Sequence, residues 1–469
     1  MSTHMTPDEF RELGHAAVEW VARYWERLPE LPVAGSVRPG DVAAELPGAP
    51  PDKGDRLEGI FTDLDDVVVP GTTHWQHPAH FAYFPANTSG PSVLGDLIGA
   101  GLGTQGMMWA TGPACTEVET VMLDWLADLL GLPERFRGGK GVIQDSASSA
   151  TFIATLAALH RASGGAWRTD GVRGSFAVYT SSQGHSSIEK AARVAGLGDK
   201  AVRSIEVDPS SLAMRPEALR AAIEADRAAG VVPALVVATI GTTSTTAVDP
   251  LPAIGAICRE FGVWLHVDAA YAGAAAACPE FRWINDGLDL ADSYCFDPHK
   301  WLLTGFDCDA LWVADPADLT RALSVLPEFL RNAASESGTV VDYRDWQVPL
   351  GRRFRALKLW FVLRWYGVEG IRAHIRDGVA LAQRFAAAVR ADDRFEVVAP
   401  HPFGLVCFRL RGEDDAANET LLRRINETGR CLLTHTKVRG QYVLRLAVGA
   451  PSTRTDHIDA TWKLIQETA

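Results

Sequence analysis

Between about residues 87 and 355 the chain is a succession of short, unbroken apolar runs, at 141–143, 176–179, 234–240, 263–267 and 310–313, separated by stretches with helical spacing. A run without polar alternation suits a strand covered on both faces, and strands of that kind belong to a mostly parallel sheet of the α/β class with helices on either side. Ligands of such sheets bind at the carboxyl ends of the strands. The residues just beyond each run are therefore the candidates for chemistry. His185 lies beyond Val178-Tyr179, Asp268 closes the run 263–267, and Lys300 follows Ser293-Tyr294-Cys295-Phe296.

The chain has 469 residues, enough to bury a large core and to form two or three structural units. Its net charge of -13 argues against a nucleic-acid or anionic-membrane surface, which needs clustered Lys and Arg. The seven cysteines (115, 258, 278, 295, 308, 407 and 431) are scattered and show no Cys-x-x-Cys spacing, so neither a disulfide framework nor a zinc site is expected, and a reducing cytoplasm is the simplest setting. No metal site is expected elsewhere. The polar start of the chain and the lack of any apolar run near the roughly 18 residues of a membrane span point to a protein that is neither secreted nor inserted.

Three regions follow from the pattern: an N-terminal helical segment over residues 1–85, a large domain over 86–355 and a small α+β domain over 356–469. The first begins with Thr6-Pro7-Asp8-Glu9, a capping box with proline at the first helical position, followed by Phe10, Leu13, Val18, Val21, Trp25 and Leu28 at helical spacing. Residues 32–55 are rich in Pro and Gly, so this amphipathic helix packs either on a second subunit or back on its own chain. The last region opens with helical stretches at 356–366 and 370–390 and continues with strand-like segments at 395–398, 405–410, 431–433 and 442–447.

Most lysines are solvated surface groups and a strand-end Asp is commonly a helix cap or turn former; together, Lys300 and Asp268 read differently. An amine can hold an aldehyde cofactor as an imine. A carboxylate against a pyridine nitrogen keeps that nitrogen protonated, so the ring can take up the electrons of a bond broken at the attached carbon. His185, in Gln183-Gly184-His185-Ser186-Ser187, adds an imidazole placed to lie on a ring face. The combination describes pyridoxal 5'-phosphate chemistry. A phosphate needs backbone N–H groups and small hydroxyls at a helix start, and Gln144-Asp145-Ser146-Ala147-Ser148-Ser149-Ala150-Thr151 supplies them, although a Ser-rich cap is also a common structural device.

The chain closely resembles the group II pyridoxal-dependent decarboxylases, the aromatic L-amino acid decarboxylase family, from Phe10 to about Trp462. The matching motifs include His77-Pro78, Tyr83-Phe84-Pro85, Pro113-Ala114-Cys115-Thr116-Glu117, Gly241-Thr242-Thr243, His266-Val267-Asp268-Ala269-Ala270-Tyr271, Pro298-His299-Lys300-Trp301 and Leu350-Gly351-Arg352-Arg353-Phe354-Arg355. The resemblance implies a fold-type I homodimer with a seven-stranded sheet, N-terminal helices wrapped around the partner, and an active site at the interface. It further implies that Lys300, Asp268 and His185 act on the cofactor, that Ala147, Ser148, Asp297 and His299 lie around its phosphate, and that Thr243 and Ala270 lie near its ring. Trp75, Tyr83, Phe84, Ala86 and Trp301 would line the substrate pocket, joined by Gln105, Met107, Leu350 and Gly351 of the other subunit. For each aromatic taken alone, plain core packing is the competing reading.

Three positions depart from the family pattern. Phe329 stands where the decarboxylases have a tyrosine whose phenol protonates the carbanionic substrate carbon, and phenylalanine has no such proton. Members with Phe there resemble aromatic acetaldehyde synthases, in which dioxygen oxidises that carbon instead. Decarboxylation of an aromatic L-amino acid coupled to oxidative deamination is therefore the leading expectation. A simple amine-forming decarboxylase, protonating through His185 or water, is the alternative, and a cofactor-binding protein without catalysis is a third reading. Asp297 replaces an asparagine, a second anion near the phosphate that should weaken cofactor binding unless it is protonated or turned toward a cation. Ala86 replaces a threonine and removes a hydroxyl from the pocket, whereas Gly351 leaves room at its far end.

Overall fold

The computed structural model describes residues 4–54, 57–325 and 340–469. Phe329 lies outside the described residues. The centre is a seven-stranded sheet of order β1-β7-β6-β5-β4-β2-β3, formed by β1 (Gly141–Gln144), β2 (Phe176–Ser181), β3 (Val202–Ile205), β4 (Val232–Thr239), β5 (Trp264–Asp268), β6 (Ser293–Phe296) and β7 (Asp309–Val313). All neighbours are parallel except β7, which is antiparallel to both β1 and β6. Six strands thus share one direction, and β7, although its run 310–313 is equally unbroken, lies against them.

Alternation along these strands divides the interior into two cores. Val142, Val178, Leu235 and Val237 pack with Ala147, Ala150 and Ile153 of the helix Ala147–Ala162 on one face. Ile143, Ala177, Tyr179, Val236 and Ala238 pack with Leu123 and Leu126 of the helix Pro113–Leu130 on the other. Successive side chains of a strand point to opposite faces, so a run apolar at every position fills both.

A smaller antiparallel sheet of order β10-β11-β9-β8 follows, with β8 (Phe395–Val397), β9 (Leu405–Leu410), β10 (Thr434–Val438) and β11 (Gln441–Ala447). The long helix Arg355–Arg390 leads into it and is broken at Gly367, whose φ of 61° lies in the left-handed region, which glycine adopts without steric cost. The two helical stretches read on either side of that residue are thus two helices that meet at a kink.

One strand expectation needs correction, and one strand was not expected. Residues 431–433 are not a strand: Asn426 binds both backbone groups of Leu433, its Oδ1 accepting from the N–H at 2.9 Å and its Nδ2 donating to the carbonyl at 3.0 Å. Those groups are taken out of a ladder, and β10 starts at Thr434 instead. The sequence reading also passed over β3, a partly exposed edge strand whose Val-Arg-Ser-Ile carries no continuous apolar run.

The N-terminal helix spans Pro7–Arg27 with the expected capping box at Thr6, yet none of its residues is buried, and Phe10 is 58 % exposed. Among the described residues no helix is long and apolar enough to cross a membrane.

Candidate active site

Parallel strands that share a direction bring their carboxyl ends to one edge. At that edge a cavity of about 380 Å³ is lined by Lys300, Asp268, His185, Ala147, Asp297 and His299, among others. Each arrives by local rule. Asp268 is the last residue of β5. His185 follows β2 in the turn before the helix Ser187–Val194, and Lys300 sits in the single helical turn Pro298–Trp301 after β6. Ala147 opens the helix after β1, whose start is capped by Ser146.

The Lys300 amine lies 2.7 Å from Oδ2 of Asp297. Burial works to lower its pKa, but the Asp297 carboxylate outweighs burial and holds the amine above its ordinary value. Asp297 in turn is held below the usual carboxylate range: burial pushes it up, and the Lys300 amine followed by His299, whose Nε2 is 3.7 Å from Oδ1, brings it down. The anion that departs from the family pattern is thus turned toward a cation, one of the two conditions under which it need not oppose a phosphate. It also accepts the N–H of Ala147 at 3.1 Å.

Asp268 accepts the N–H of Ala270 through Oδ1 at 3.0 Å, which fixes its carboxylate at the strand end. At His185, the N–H of Ser187 donates to Nδ1 at 3.2 Å. That bond leaves the ring proton of the neutral imidazole on Nε2. Desolvation by the cavity walls lowers the His185 pKa and favours this neutral form.

Aromatic side chains close the other side of the cavity. Trp75 stacks on Tyr83 at 5.6 Å between centroids and Phe84 on Tyr271 at 3.9 Å. Trp301 does not line the cavity as expected: it is fully buried behind Tyr271, stacked at 4.9 Å and packed against the Cα atoms' side of Gly378 and Gly404. Tyr271 takes its place in the wall. Tyr83 has a φ of 56°, a left-handed conformation that costs a non-glycine residue about 1–3 kcal/mol. Its N–H donates to Thr434 at 3.2 Å. Arg445, on β11, donates to the carbonyls of Thr243 at 2.7 Å and Ser244 at 3.1 Å and to the Thr434 hydroxyl at 3.0 Å, tying the small sheet to the cavity rim. Ala86 lies in the same wall, and its carbonyl accepts from the Gln76 amide.

Gln105, Met107, Leu350 and Gly351 are not part of this cavity. They lie together on another edge of the chain, where Gln105 Oε1 accepts the N–H of Arg352 at 2.7 Å, and a Cβ on Gly351 would stand 3.2 Å from Gln105 Nε2. Two residues that the sequence reading left out bear on the site: Phe306, which lines the cavity edge-on to His299 at 4.8 Å, and Asp309, which lies behind the cavity wall against Asp297. An acid at the start of the apolar run 310–313 was the available signal for the second.

The donor set suits a phosphorylated pyridine aldehyde: a primary amine, a carboxylate at a strand end for a ring nitrogen, a flat imidazole, and helix-start N–H groups. When bound, the group supplies an electron sink for a bond broken at the substrate carbon. Lys300 would hold it, Asp268 would keep its nitrogen protonated, and Ala147, Ser148 and His299 would surround its phosphate.

Residues 39–411 match the model of the pyridoxal-dependent decarboxylase conserved domain. The chain is 45 % identical to phenylacetaldehyde synthase of Arabidopsis thaliana over 99 % of its length and 96 % of that protein's. It is 44 % identical to aromatic-L-amino-acid decarboxylase of Mus musculus, covering 99 % and 98 % of the two chains. The crystal structure of Oryza sativa TDC with PLP and tryptamine superposes with a TM-score of 0.96 at 43 % identity, over 100 % of this chain and 99 % of that one. A parallel-sheet enzyme of fold type I with a lysine at the strand ends is the class these features define. The chain belongs to the pyridoxal-dependent decarboxylase family, and its cofactor is pyridoxal 5'-phosphate.

Proposed function

We propose that the protein decarboxylates an aromatic L-amino acid and, in the same cycle, deaminates it oxidatively. Amino acid, dioxygen and water give the arylacetaldehyde, carbon dioxide, ammonia and hydrogen peroxide. The observation that carries this reading is Phe329, which offers no phenolic proton where the amine-forming members of the family have one. Removing a positioned general acid typically slows its step about 10²–10⁴-fold, which leaves the carbanionic carbon open to oxygen. The paired rings Trp75–Tyr83 and Phe84–Tyr271 support an aromatic substrate, because a flat ring stacks favourably among them. The relative named phenylacetaldehyde synthase supports the same direction.

Release of the arylalkylamine is the second reading, favoured by the Nε2 proton assigned to His185 and by the relative named aromatic-L-amino-acid decarboxylase. Incubation with phenylalanine, tyrosine, dopa and tryptophan in air, measuring aldehyde, amine and peroxide, separates the two. Amine without peroxide dismisses the first. Phe329→Tyr is expected to raise amine at the expense of aldehyde, and an unchanged product ratio removes the argument from that residue.

The working unit in this reading is a homodimer. Support comes from the N-terminal helix without a buried residue, and from Leu94, Leu97, Ile98 and Leu102, which are 45–59 % exposed on the helix Gly90–Leu102. A partner on these faces would bring Gln105, Met107, Leu350 and Gly351 to the neighbouring cavity. All seven cysteines are free and buried, in keeping with a cytoplasmic protein.

A further inference from the structure

Asp309 is the most anomalous acid among the described residues. It is fully buried, and neither of its carboxyl oxygens meets an N–H or O–H donor among the described residues. Its position follows from the sheet. Phe296 pairs with Ala310 in the antiparallel register of β6 and β7, so the next pair along that register is Asp297 with Asp309. The two side chains are within hydrogen-bonding reach of each other. On the other side Asp309 faces Gln144 of β1. Among the described residues, the remaining charged or titratable groups around the pair are Lys300, His299, Asp268, Cys295, His185, Tyr294 and Cys308.

Two carboxylates in contact, remote from water, cannot both stay ionised. Their partners decide which keeps the proton. Asp297 has the Lys300 amine at 2.7 Å and the Ala147 N–H at 3.1 Å, whereas Asp309 has no donor. We propose that Asp309 and Asp297 form a carboxylic acid–carboxylate pair holding one proton beneath Lys300, in which neutral Asp309 donates to Asp297 and thereby locks it as the anion that positions the lysine amine. Asp297 then receives three donors, from Lys300, Ala147 and Asp309, which leaves its carboxylate one orientation. The direction of the shifts agrees, since burial and then Asp297 push Asp309 far above the usual carboxylate range. The inference is independent of whether the product is aldehyde or amine. It makes the asparagine-to-aspartate departure at 297 one half of a unit whose other half is Asp309.

The consequence is a lysine kept charged when it is not linked to an aldehyde, so that its free-amine reactivity depends on Asp297 and not on any charge at Asp309. The test uses the full-length protein freed of cofactor, with pyridoxal as the probe and borohydride trapping at Lys300 as the readout across pH 6 to 10. Asp297→Asn is expected to shift the labelling profile to lower pH, with about tenfold faster labelling at neutral pH for each unit by which the amine pKa falls. Asp309→Asn, which can still donate to Asp297, is expected to label at a rate within about twofold of the parent. If Asp309 is ionised, its replacement by Asn removes an anion and accelerates labelling as Asp297→Asn does, which overturns the proposal. Infrared spectra of the unmodified protein, both loaded and cofactor-free, supply a check that needs no variant. A protonated-carboxyl stretch at neutral pH that shifts on ¹³C-aspartate labelling supports the pair, and its absence refutes it.

Discussion

Replacing Glu119 by glutamine should be among the most damaging single changes outside the cavity. Glu119 and Arg352 make a two-pronged ion pair, with Nη2 2.6 Å from Oε1 and Nη1 3.0 Å from Oε2, and both side chains are only 1 % exposed. The pair is embedded in further bonds: Glu119 Oε1 accepts the N–H of Ile143 at 2.8 Å, while Arg352 donates to the Ile143 carbonyl at 2.9 Å and to Gln347 Oε1 at 3.0 Å. It therefore joins the helix Pro113–Leu130 to β1 and to the segment carrying Gly351. At an effective dielectric constant of about 20, two unit charges near 4 Å attract by about 4 kcal/mol. Removing one partner of such a buried pair costs about 3–5 kcal/mol, because the surviving charge is left uncompensated. Glutamine at 119 still accepts from Ile143 but leaves the guanidinium without its counter-charge. Arg352→Met should cost a similar amount. The double variant Glu119→Gln with Arg352→Met should recover much of the loss, keeping a deficit of about 1–2 kcal/mol from the unpaired Ile143 carbonyl. Urea unfolding of the cofactor-loaded protein reads these differences. A single substitution costing under about 1 kcal/mol, or a double variant as destabilised as the two singles added together, would refute the reasoning.

Lys300→Ala should abolish borohydride-reducible cofactor at position 300 while leaving the fold intact by circular dichroism; reducible label on another lysine in that variant would sink the assignment. Arg445→Met should cost about 1–3 kcal/mol, since it strips donors from the Thr243 and Ser244 carbonyls and the Thr434 hydroxyl, and should raise KM by loosening the Tyr83 turn. An unchanged KM would separate Tyr83 from substrate binding. Burial holds His77, His80 and His266 neutral with pKa values lowered to about 4, against an ordinary 6.5. Between those values the unfolded chain binds protons that the folded one does not, so stability falls as pH drops from about 6.5 toward 4, by up to about 4 kcal/mol per pH unit, and these groups contribute no slope above pH 7. Urea midpoints at pH 7 and pH 5 that coincide would contradict this.

The main architecture was legible because it rests on local pattern. Unbroken apolar runs announce strands covered on both faces, and the rule that ligands sit at strand carboxyl ends singles out Lys300, Asp268 and His185 from the sequence. The capping box at Thr6 and the break between the two long helical stretches depend on neighbours within a few residues, and both were readable for that reason. Where the readings failed, a side-chain contact outside the apolar pattern intervened: Asn426, seven residues earlier, withdraws Leu433 from a ladder, and Tyr271 stands in front of Trp301.

From sequence alone follow the strand-and-helix order and an amine, a carboxylate and an imidazole placed just beyond strand ends, since each is a property of residue type and spacing, whereas the missing phenol at 329 is read from the family resemblance. Only the tertiary structure pairs Asp297 with Lys300 and Asp309, and only it shows the left-handed Tyr83 held from the small sheet by Thr434 and Arg445. Register between strands and contact between sheets join residues far apart in the chain, and no local pattern encodes which buried acid will meet which base.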